Sequence, residues 1–183
     1  MNVKNWTAIG LALACAATTA WAAPPSRTVN QMGPLKVGRP CPSFAGLTLE
    51  SQTLSLSKLL APDKGTPVAA AVISFFATHC KACKAQLPVI ERVVASSKDV
   101  RGVLIDFGED PDVVAPFVEA QKLTLPVIPD KFTKIAARLG VDGTLPRSLV
   151  VDGHGYVSAI FEHEGDDFEK ALRAAIEAAR NAE

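Results

Sequence analysis

The sequence predicts one α/β domain, a central mixed β-sheet flanked by helices. Residues 68–76 are apolar on both faces, as is a strand buried inside a sheet, and residues 100–107 are predicted to form a second buried strand. A helical pattern lies between these two runs, so the connection is a crossover and the strands run parallel. Later in the chain, Asp152-Gly153-His154-Gly155 separates two further strands and predicts an antiparallel hairpin. A chain of 183 residues is long enough for one such domain and a short extension.

The first residues have the features of a secretory signal. Lys4 is followed by an apolar core over 6–17 and by the small-x-small site Ala20-Trp21-Ala22. We therefore predict a signal peptide over 1–22, a flexible lead-in over 23–36 and a folded domain over 37–183. The mature protein is then periplasmic or secreted.

Two alternatives for the N-terminus stay open at this point. One is an uncleaved membrane anchor, although an apolar stretch of at best about 18 residues is short for a span of ~20. The other is a lipoprotein attached through Cys15, because Leu13-Ala14-Cys15 partly resembles a lipobox. After cleavage we expect no stable membrane insertion.

The charge balance argues against a nucleic-acid partner. The 19 basic residues match the 19 acidic ones, whereas nucleic-acid binding requires a basic surface excess. The sequence gives no indication of the oligomeric state.

The other elements follow from local patterns. In chain order they are a hairpin over 44–49 and 52–56 that turns at Glu50-Ser51, a helical turn over 57–60, a helix from about 113 to 121 capped by Asp112, an extended segment over 125–130, a helix over 131–139 stopped by Gly140, strands over 147–151 and 156–160, and a helix to about Arg180 that begins with a capping box of Asp166 and Glu169.

Two cysteines lie where the first buried strand passes into a helix. Leu87, Ile90 and Val94 recur at helical spacing after them, so Cys80 and Cys83 fall on the first turn. The unpaired N–H groups and the positive end of the helix dipole favour a thiolate there. Thiol-disulfide exchange requires such an accessible attacking thiol with a shielded resolving thiol behind it.

The number of cysteines supports a chemical role for this pair. If Cys15 leaves with the leader, the mature chain keeps Cys41, Cys80 and Cys83, and one thiol has no internal partner. A disulfide that closes so small a loop contributes little chain-entropy stabilisation. Cys41 is expected to be a small buried residue, with a disulfide to a partner protein as the alternative.

Three motifs in order resemble the TlpA/ResA-like thiol-disulfide oxidoreductases, which belong with the AhpC/TSA-related redoxins. They are Gly38-Arg39-Pro40-Cys41-Pro42-Ser43-Phe44, then Phe75-Phe76-Ala77-Thr78-His79-Cys80-Lys81-Ala82-Cys83 with Leu87-Pro88, and then the segment 140–152 with Leu145-Pro146. The resemblance covers about residues 37–180. It implies a thioredoxin-like fold with an N-terminal β-hairpin extension.

The same resemblance implies a function and roles for the site residues. Cys80 would be the attacking thiol and Cys83 the resolving thiol, and their disulfide would be the redox group, without a further cofactor. Pro146 would be a cis-proline that, with Leu145, forms the edge on which the substrate peptide docks. The implied partners are protein thiols or disulfides, including a redox partner that recharges the site, and the implied process is cytochrome c maturation.

Two positions depart from the family pattern. His79 stands where tryptophan is usual, and Gln86 stands where a glutamate commonly follows the second cysteine. An amide cannot exchange protons with the thiols. We therefore treat His79 and Gln86 as modulating residues, together with Lys81, whose charge should favour the thiolate.

Two alternative functions on the same scaffold stay open, a peroxiredoxin-like peroxidase and a non-enzymatic copper metallochaperone, although the chain departs from the usual pattern of each. A peroxiredoxin signature would put proline and threonine where the chain has Ile73 and Ala77. A copper chaperone of this fold uses a Cys-x-x-x-Cys spacing, one residue longer than here. A structural zinc site is a further alternative, in which the cysteine pair would supply two of the four ligands. Two of the three histidines, His154 and His163, are however expected to be solvated. We therefore predict no metal.

Overall fold

The computed structural model describes residues 35–61, 66–162, 165 and 167–182. The predicted signal peptide over 1–22, the alternative attachment through Cys15, and most of the predicted lead-in lie outside the described residues. In the part of the chain that is described, no helix has the length and apolar character needed to cross a membrane.

The fold is the predicted α/β arrangement. Its elements are β1 (Ala45–Leu47), β2 (Thr53–Ser55), α1 (Leu56–Leu59), β3 (Ala70–Phe76), α2 (Lys81–Ala95), β4 (Val100–Phe107), α3 (Pro111–Gln121), β5 (Val127–Asp130), α4 (Lys134–Arg138), β6 (Arg147–Asp152), β7 (Val157–Phe161) and α5 (Phe168–Arg180). Strands β1 and β2 form the predicted N-terminal hairpin, and the other five form one sheet in the order β5-β4-β3-β6-β7.

The sheet is mixed, and β3 lies at its centre. It pairs in parallel with β4 and antiparallel with β6. All seven residues of β3 are buried, which explains why this run is apolar on both faces. Its one polar side chain, Ser74, shares a buried hydrogen bond of 2.9 Å with Ser148 on β6, so the hydroxyl groups satisfy one another.

Helices cover both faces of the sheet. Successive residues of β3 point to opposite faces, and two apolar clusters result. Helices α2, α3 and α5 pack on one cluster with Val72 and Phe76. Helices α1 and α4 and the segment around Phe44 pack on the other with Ile73 and Phe75.

Segments outside the strands lie along both outer edges of the sheet. On β7, Val157 bonds through its oxygen to the N–H of Gly38 and through its N–H to the oxygen of Arg39. Pro40 forms a bridge with Tyr156 next to them. At the β5 edge, the N–H of Leu49 donates to the oxygen of Val127.

Two predicted helix starts are wrong. Helix α3 begins at Pro111, after the N-cap Asp110, not after Asp112. A proline suits the first helical position because its missing N–H needs no partner there. Helix α4 begins at Lys134 rather than at 131, because Thr133 adopts a left-handed conformation with φ of 51°.

The predicted capping box of α5 concerns Asp166, which lies outside the described residues. The helix begins at Phe168 after the N-cap Asp167, which makes no side-chain cap. Glu169 instead accepts hydrogen bonds from Arg92 and Arg173. The final strand is also one residue later than predicted, over Val157–Phe161.

Candidate active site

The end of β3 and the start of α2 place the two cysteines together. Cys80 is the N-cap of α2 with extended backbone angles (φ −75°, ψ 105°), and Cys83 lies in the first turn. Their Cα atoms are 5.3 Å apart, and the two sulfurs are joined in a disulfide. The chain therefore folds into a redox-capable pair at the carboxyl end of a buried strand.

The two sulfurs have different surroundings. Cys83 is 1% exposed, whereas Cys80 is half-buried. The backbone N–H of Cys83 donates a hydrogen bond of 3.1 Å to Cys80 Sγ. After reduction the same N–H and the helix N-terminus would favour a thiolate on Cys80. The assignment of Cys80 as attacker and Cys83 as resolver remains a prediction.

Leu145 and Pro146 lie just before β6, which neighbours the strand that leads to the cysteines. The peptide bond between Leu145 and Pro146 is cis. Pro146 is buried, and Leu145 is half-buried and packs against both apolar clusters. Next in the chain, Arg147 pairs in register with Phe75. The docking role of Leu145 and Pro146 is a prediction that this placement allows.

The three residues predicted to modulate the cysteine pair differ in exposure. The side chain of His79 is 79% exposed, and its Nδ1 lies 3.5 Å from Glu109 Oε1. Lys81 is exposed at the first position of α2, and Gln86 is buried at 4% exposure one turn beyond Cys83. Gln86 is thus buried on the helix that carries Cys83, whereas His79 and Lys81 face solvent.

Two carboxyl groups that the sequence patterns do not predict to have a role lie next to this site. Glu109 accepts hydrogen bonds from Thr78 N at 2.6 Å and Thr78 Oγ1 at 2.7 Å. Burial alone would raise the pKa of Glu109, but the bonds from Thr78, Asp106 and His79 lower it below its usual value. Glu109 is therefore an anion bound to the segment that precedes Cys80.

Asp106 is the second of these carboxyl groups. It is fully buried, and its Oδ2 accepts a hydrogen bond of 2.8 Å from Glu109 N. Burial first, and then the neighbouring Glu109, raise the pKa of Asp106 to about 7. A carboxylic acid directly after the apolar run Val103-Leu104-Ile105 was the sequence signal for this residue.

The raised pKa of Asp106 predicts a stability difference that depends on pH. The ordinary pKa is 3.8, so between about pH 4 and pH 7 the folded chain holds a proton that the unfolded chain releases. The stabilising contribution is complete below that window and is lost as the pH rises through it. Replacing Asp106 with asparagine should therefore stabilise the protein more at pH 8 than at pH 4.

Urea unfolding of the oxidised wild-type and Asp106→Asn proteins at both pH values measures this difference. Asp152→Asn is the control, because Asp152 is also buried but lies at the other end of the sheet. If the unfolding free energies of the wild type and of Asp106→Asn change by the same amount between the two pH values, the raised pKa of Asp106 is contradicted.

Cys41 is separated from this chemistry. It is a free, buried cysteine, and burial raises the pKa of its thiol to about 12. The structure thus agrees with the buried-residue interpretation of Cys41 rather than with a disulfide to a partner. Of the other two histidines, His154 is exposed as predicted, and His163 lies outside the described residues.

Known proteins with similar sequences include thiol-disulfide oxidoreductases. The model of the AhpC/TSA family matches residues 37–160. The thiol-disulfide oxidoreductase ResA of Bacillus anthracis is 31% identical over 125 residues, which are 67% of this chain and 68% of that protein. The thioredoxin-like protein YneN of Bacillus subtilis (strain 168) is 25% identical over 179 residues, 96% of this chain and 98% of that one.

A solved structure gives the same fold. The thiol:disulfide interchange protein of the thioredoxin family from Chlorobium tepidum TLS superposes with a TM-score of 0.64 at 24% identity, covering 81% of this chain and 100% of the other. The central mixed sheet and the helices on both faces are therefore a thioredoxin-like arrangement. From the matched family model, the relatives and the cysteine pair at the start of α2, we conclude that the chain belongs to the AhpC/TSA family and is a thiol-disulfide oxidoreductase.

Proposed function

We propose that this oxidoreductase works outside the cytoplasm and exchanges its Cys80–Cys83 disulfide with cysteines of c-type cytochromes or of the proteins that mature them. The observation that carries the proposal is the disulfide itself, with one half-buried sulfur and one at 1% exposure. A partner sulfur has access to Cys80 and not to Cys83. Exchange with proteins then proceeds through Cys80.

The reaction balances without a further redox group. A partner thiolate attacks Cys80 Sγ, the Cys80–Cys83 bond breaks, and the bonding electron pair leaves on Cys83. A second partner thiolate then attacks the partner's own sulfur, so the partner is oxidised and both cysteines are reduced. In the opposite direction, the Cys80 thiolate attacks a partner disulfide and Cys83 resolves the mixed disulfide.

The docking of the partner peptide is assigned to Leu145 and Pro146. They precede β6, whose first residue Arg147 lies beside Phe75 near the end of β3. An extended peptide that pairs with the backbone next to Pro146 would bring its cysteine to the end of β3, the strand that leads to Cys80. Strand-like pairing of this kind supplies affinity through main-chain hydrogen bonds.

The proposed location rests on the sequence of the N-terminus. The charged start, the apolar core and the Ala20-Trp21-Ala22 site favour export and cleavage near Ala22, and the resemblance is to extracytoplasmic members of the family. Fractionation followed by N-terminal sequencing tests it. A cytoplasmic chain that retains Met1 would contradict the location without affecting the redox chemistry.

Peptide exchange tests the proposed substrate. The haem-attachment sites of c-type cytochromes have the pattern Cys-x-x-Cys-His. Reduced protein should reduce an oxidised peptide of this pattern at least about tenfold faster than a peptide of the same composition with the cysteines far apart, because only a docked substrate gains orientation at Cys80. Liquid chromatography of quenched samples gives both rates. Equal rates for the two peptides would show general thiol exchange without selection of cytochrome sites.

A further inference from the structure

Two carboxyl groups lie behind the segment that leads from β3 to Cys80, and we call Asp106 and Glu109 the carboxyl pair. We propose that neutral Asp106 and ionised Glu109 together position this segment, and that loss of the Asp106 proton lowers the reactivity of the Cys80 thiol. The inference rests on the proposed role of Cys80 as the attacking thiol. Asp106 and Glu109 act here as positioning residues, because Glu109 binds Thr78 in the segment and Asp106 binds Glu109.

Glu109 binds the segment directly. Its two carboxylate oxygens accept from the backbone N–H and the hydroxyl of Thr78, at 2.6 and 2.7 Å. Thr78 lies two residues before Cys80, and the N–H of Cys80 donates to the oxygen of Ala77 at 3.1 Å in the same turn. Charge-assisted hydrogen bonds to both Thr78 donors hold this turn in one conformation.

Asp106 supports Glu109 from inside the sheet. It pairs in register with Phe76, the last residue of β3, and accepts from the backbone N–H of Glu109. Its Oδ1 is buried and accepts no hydrogen bond from any residue in the described ranges. A buried carboxyl oxygen without a donor disfavours the ionised form, so the neutral acid is the form that fits this place.

The charges around Asp106 also favour the neutral acid. The ionisable groups that interact with it are Glu109 on the following loop and Asp130 on β5, and both are acidic. His79, on the segment after β3, reaches the carboxyl pair only through Glu109. On the same face of the sheet, α2 contributes Cys83 to the cluster that contains Phe76. A second negative charge at Asp106 would therefore repel Glu109 and oppose a thiolate on α2.

Gln86, on α2 one turn beyond Cys83, is an amide buried at 4% exposure, so it does not titrate. The carboxyl pair provides a titrating group on the neighbouring strand instead. Because burial raises the pKa of Asp106 to about 7, the site should change its reactivity near neutral pH.

The pH dependence of alkylation tests this inference. Fully reduced protein is treated with iodoacetamide between pH 5 and 9, and modification of Cys80 is followed by mass spectrometry of its peptide. In the wild type, two ionisations are expected, since the thiolate increases the rate and ionised Asp106 decreases it near neutral pH. Asp106→Asn should show one ionisation and a rate at pH 8 that is about three- to tenfold higher than that of the wild type.

Two controls separate positioning from a general loss of structure. Asp152→Asn removes a buried carboxyl at the opposite end of the sheet, where Asp152 pairs with Ala70, and its profile should match the wild type. Glu109→Gln keeps one oxygen that can accept from Thr78 but removes the charge beside Asp106. Because Glu109 contributes to the raised pKa of Asp106, the second ionisation should remain and move to lower pH, which tests the pair independently of Asp106→Asn.

The alkylation test and the peptide-exchange test can fail independently of one another. Alkylation needs no partner, so failure to reduce the cytochrome-like peptide would leave the alkylation profiles intact. Wild-type, Asp106→Asn and Glu109→Gln profiles that superimpose would overturn the role of the carboxyl pair, whether or not peptide exchange occurs. A carbon-13 carboxyl titration of wild-type Asp106 that gives a pKa near its ordinary value would overturn it independently.

Discussion

Replacing Cys80 with serine is expected to abolish disulfide exchange, lowering the rate by at least about a thousandfold because the attacking thiol is removed. Replacing Cys83 should have a different result. The mixed disulfide between Cys80 and the partner then lacks its resolving thiol, which is buried directly behind Cys80 at 1% exposure, and the adduct should accumulate. Non-reducing gels of extract from cells that express each variant measure this, with adduct bands identified by mass spectrometry.

Cys41→Ser is the matched control for both cysteine variants. Cys41 is buried, and the pKa of its thiol is raised to about 12, so its removal should change neither exchange nor trapping. The double variant of Cys41 and Cys83 should trap the same partners as Cys83→Ser. If the Cys83→Ser protein traps nothing, or if its adducts disappear when Cys41 is also removed, the assignment of Cys80 as the attacking thiol fails.

Replacing Phe76 with alanine should cause the largest loss of stability that we predict. Phe76 is fully buried at the end of β3 and stacks on Phe117 with 5.7 Å between ring centroids. Removing its ring leaves a cavity between the sheet and Phe117 on α3, which is expected to cost about 3–5 kcal/mol. Urea unfolding of the oxidised protein at constant pH measures the loss.

Phe132→Ala is the control for this prediction. Phe132 is 71% exposed after β5, so its replacement should change the unfolding free energy by no more than about 0.5 kcal/mol. A loss below about 1 kcal/mol for Phe76→Ala, or a similar loss for both variants, would show that the ring does not fill the space assigned to it.

The elements that the sequence predicted best are those with a strong local pattern. Strand β4 has the predicted bounds, Val100–Phe107. A short, mostly apolar run that ends in turn residues is consistent with a buried strand. The hairpin before α1 and the cysteines at the start of α2 were also predicted from short patterns. The starts of α3 and α4 were not, since they depend on Pro111 as the first helical residue and on the left-handed Thr133.

Local sequence patterns could not predict the carboxyl pair. Glu109 and Thr78 are 31 residues apart in the chain, and their contact depends on the register that aligns Asp106 with Phe76. A sequence pattern indicates that two strands are parallel but does not determine which residues are opposite one another. The cysteines were identifiable because both belong to one helical turn, whereas the acids come from the neighbouring strand.

The segment around Pro40 has a consequence for self-association. Gly38 and Arg39 use the outer hydrogen-bonding groups of Val157, and Pro40 has no N–H to offer a further strand. An open edge strand is a template for pairing with another chain. Removal of residues up to Cys41 would uncover β7, so a shortened protein should form sheet-mediated aggregates. Residues 38–40 thus block this edge of the sheet against pairing with a second copy of the chain.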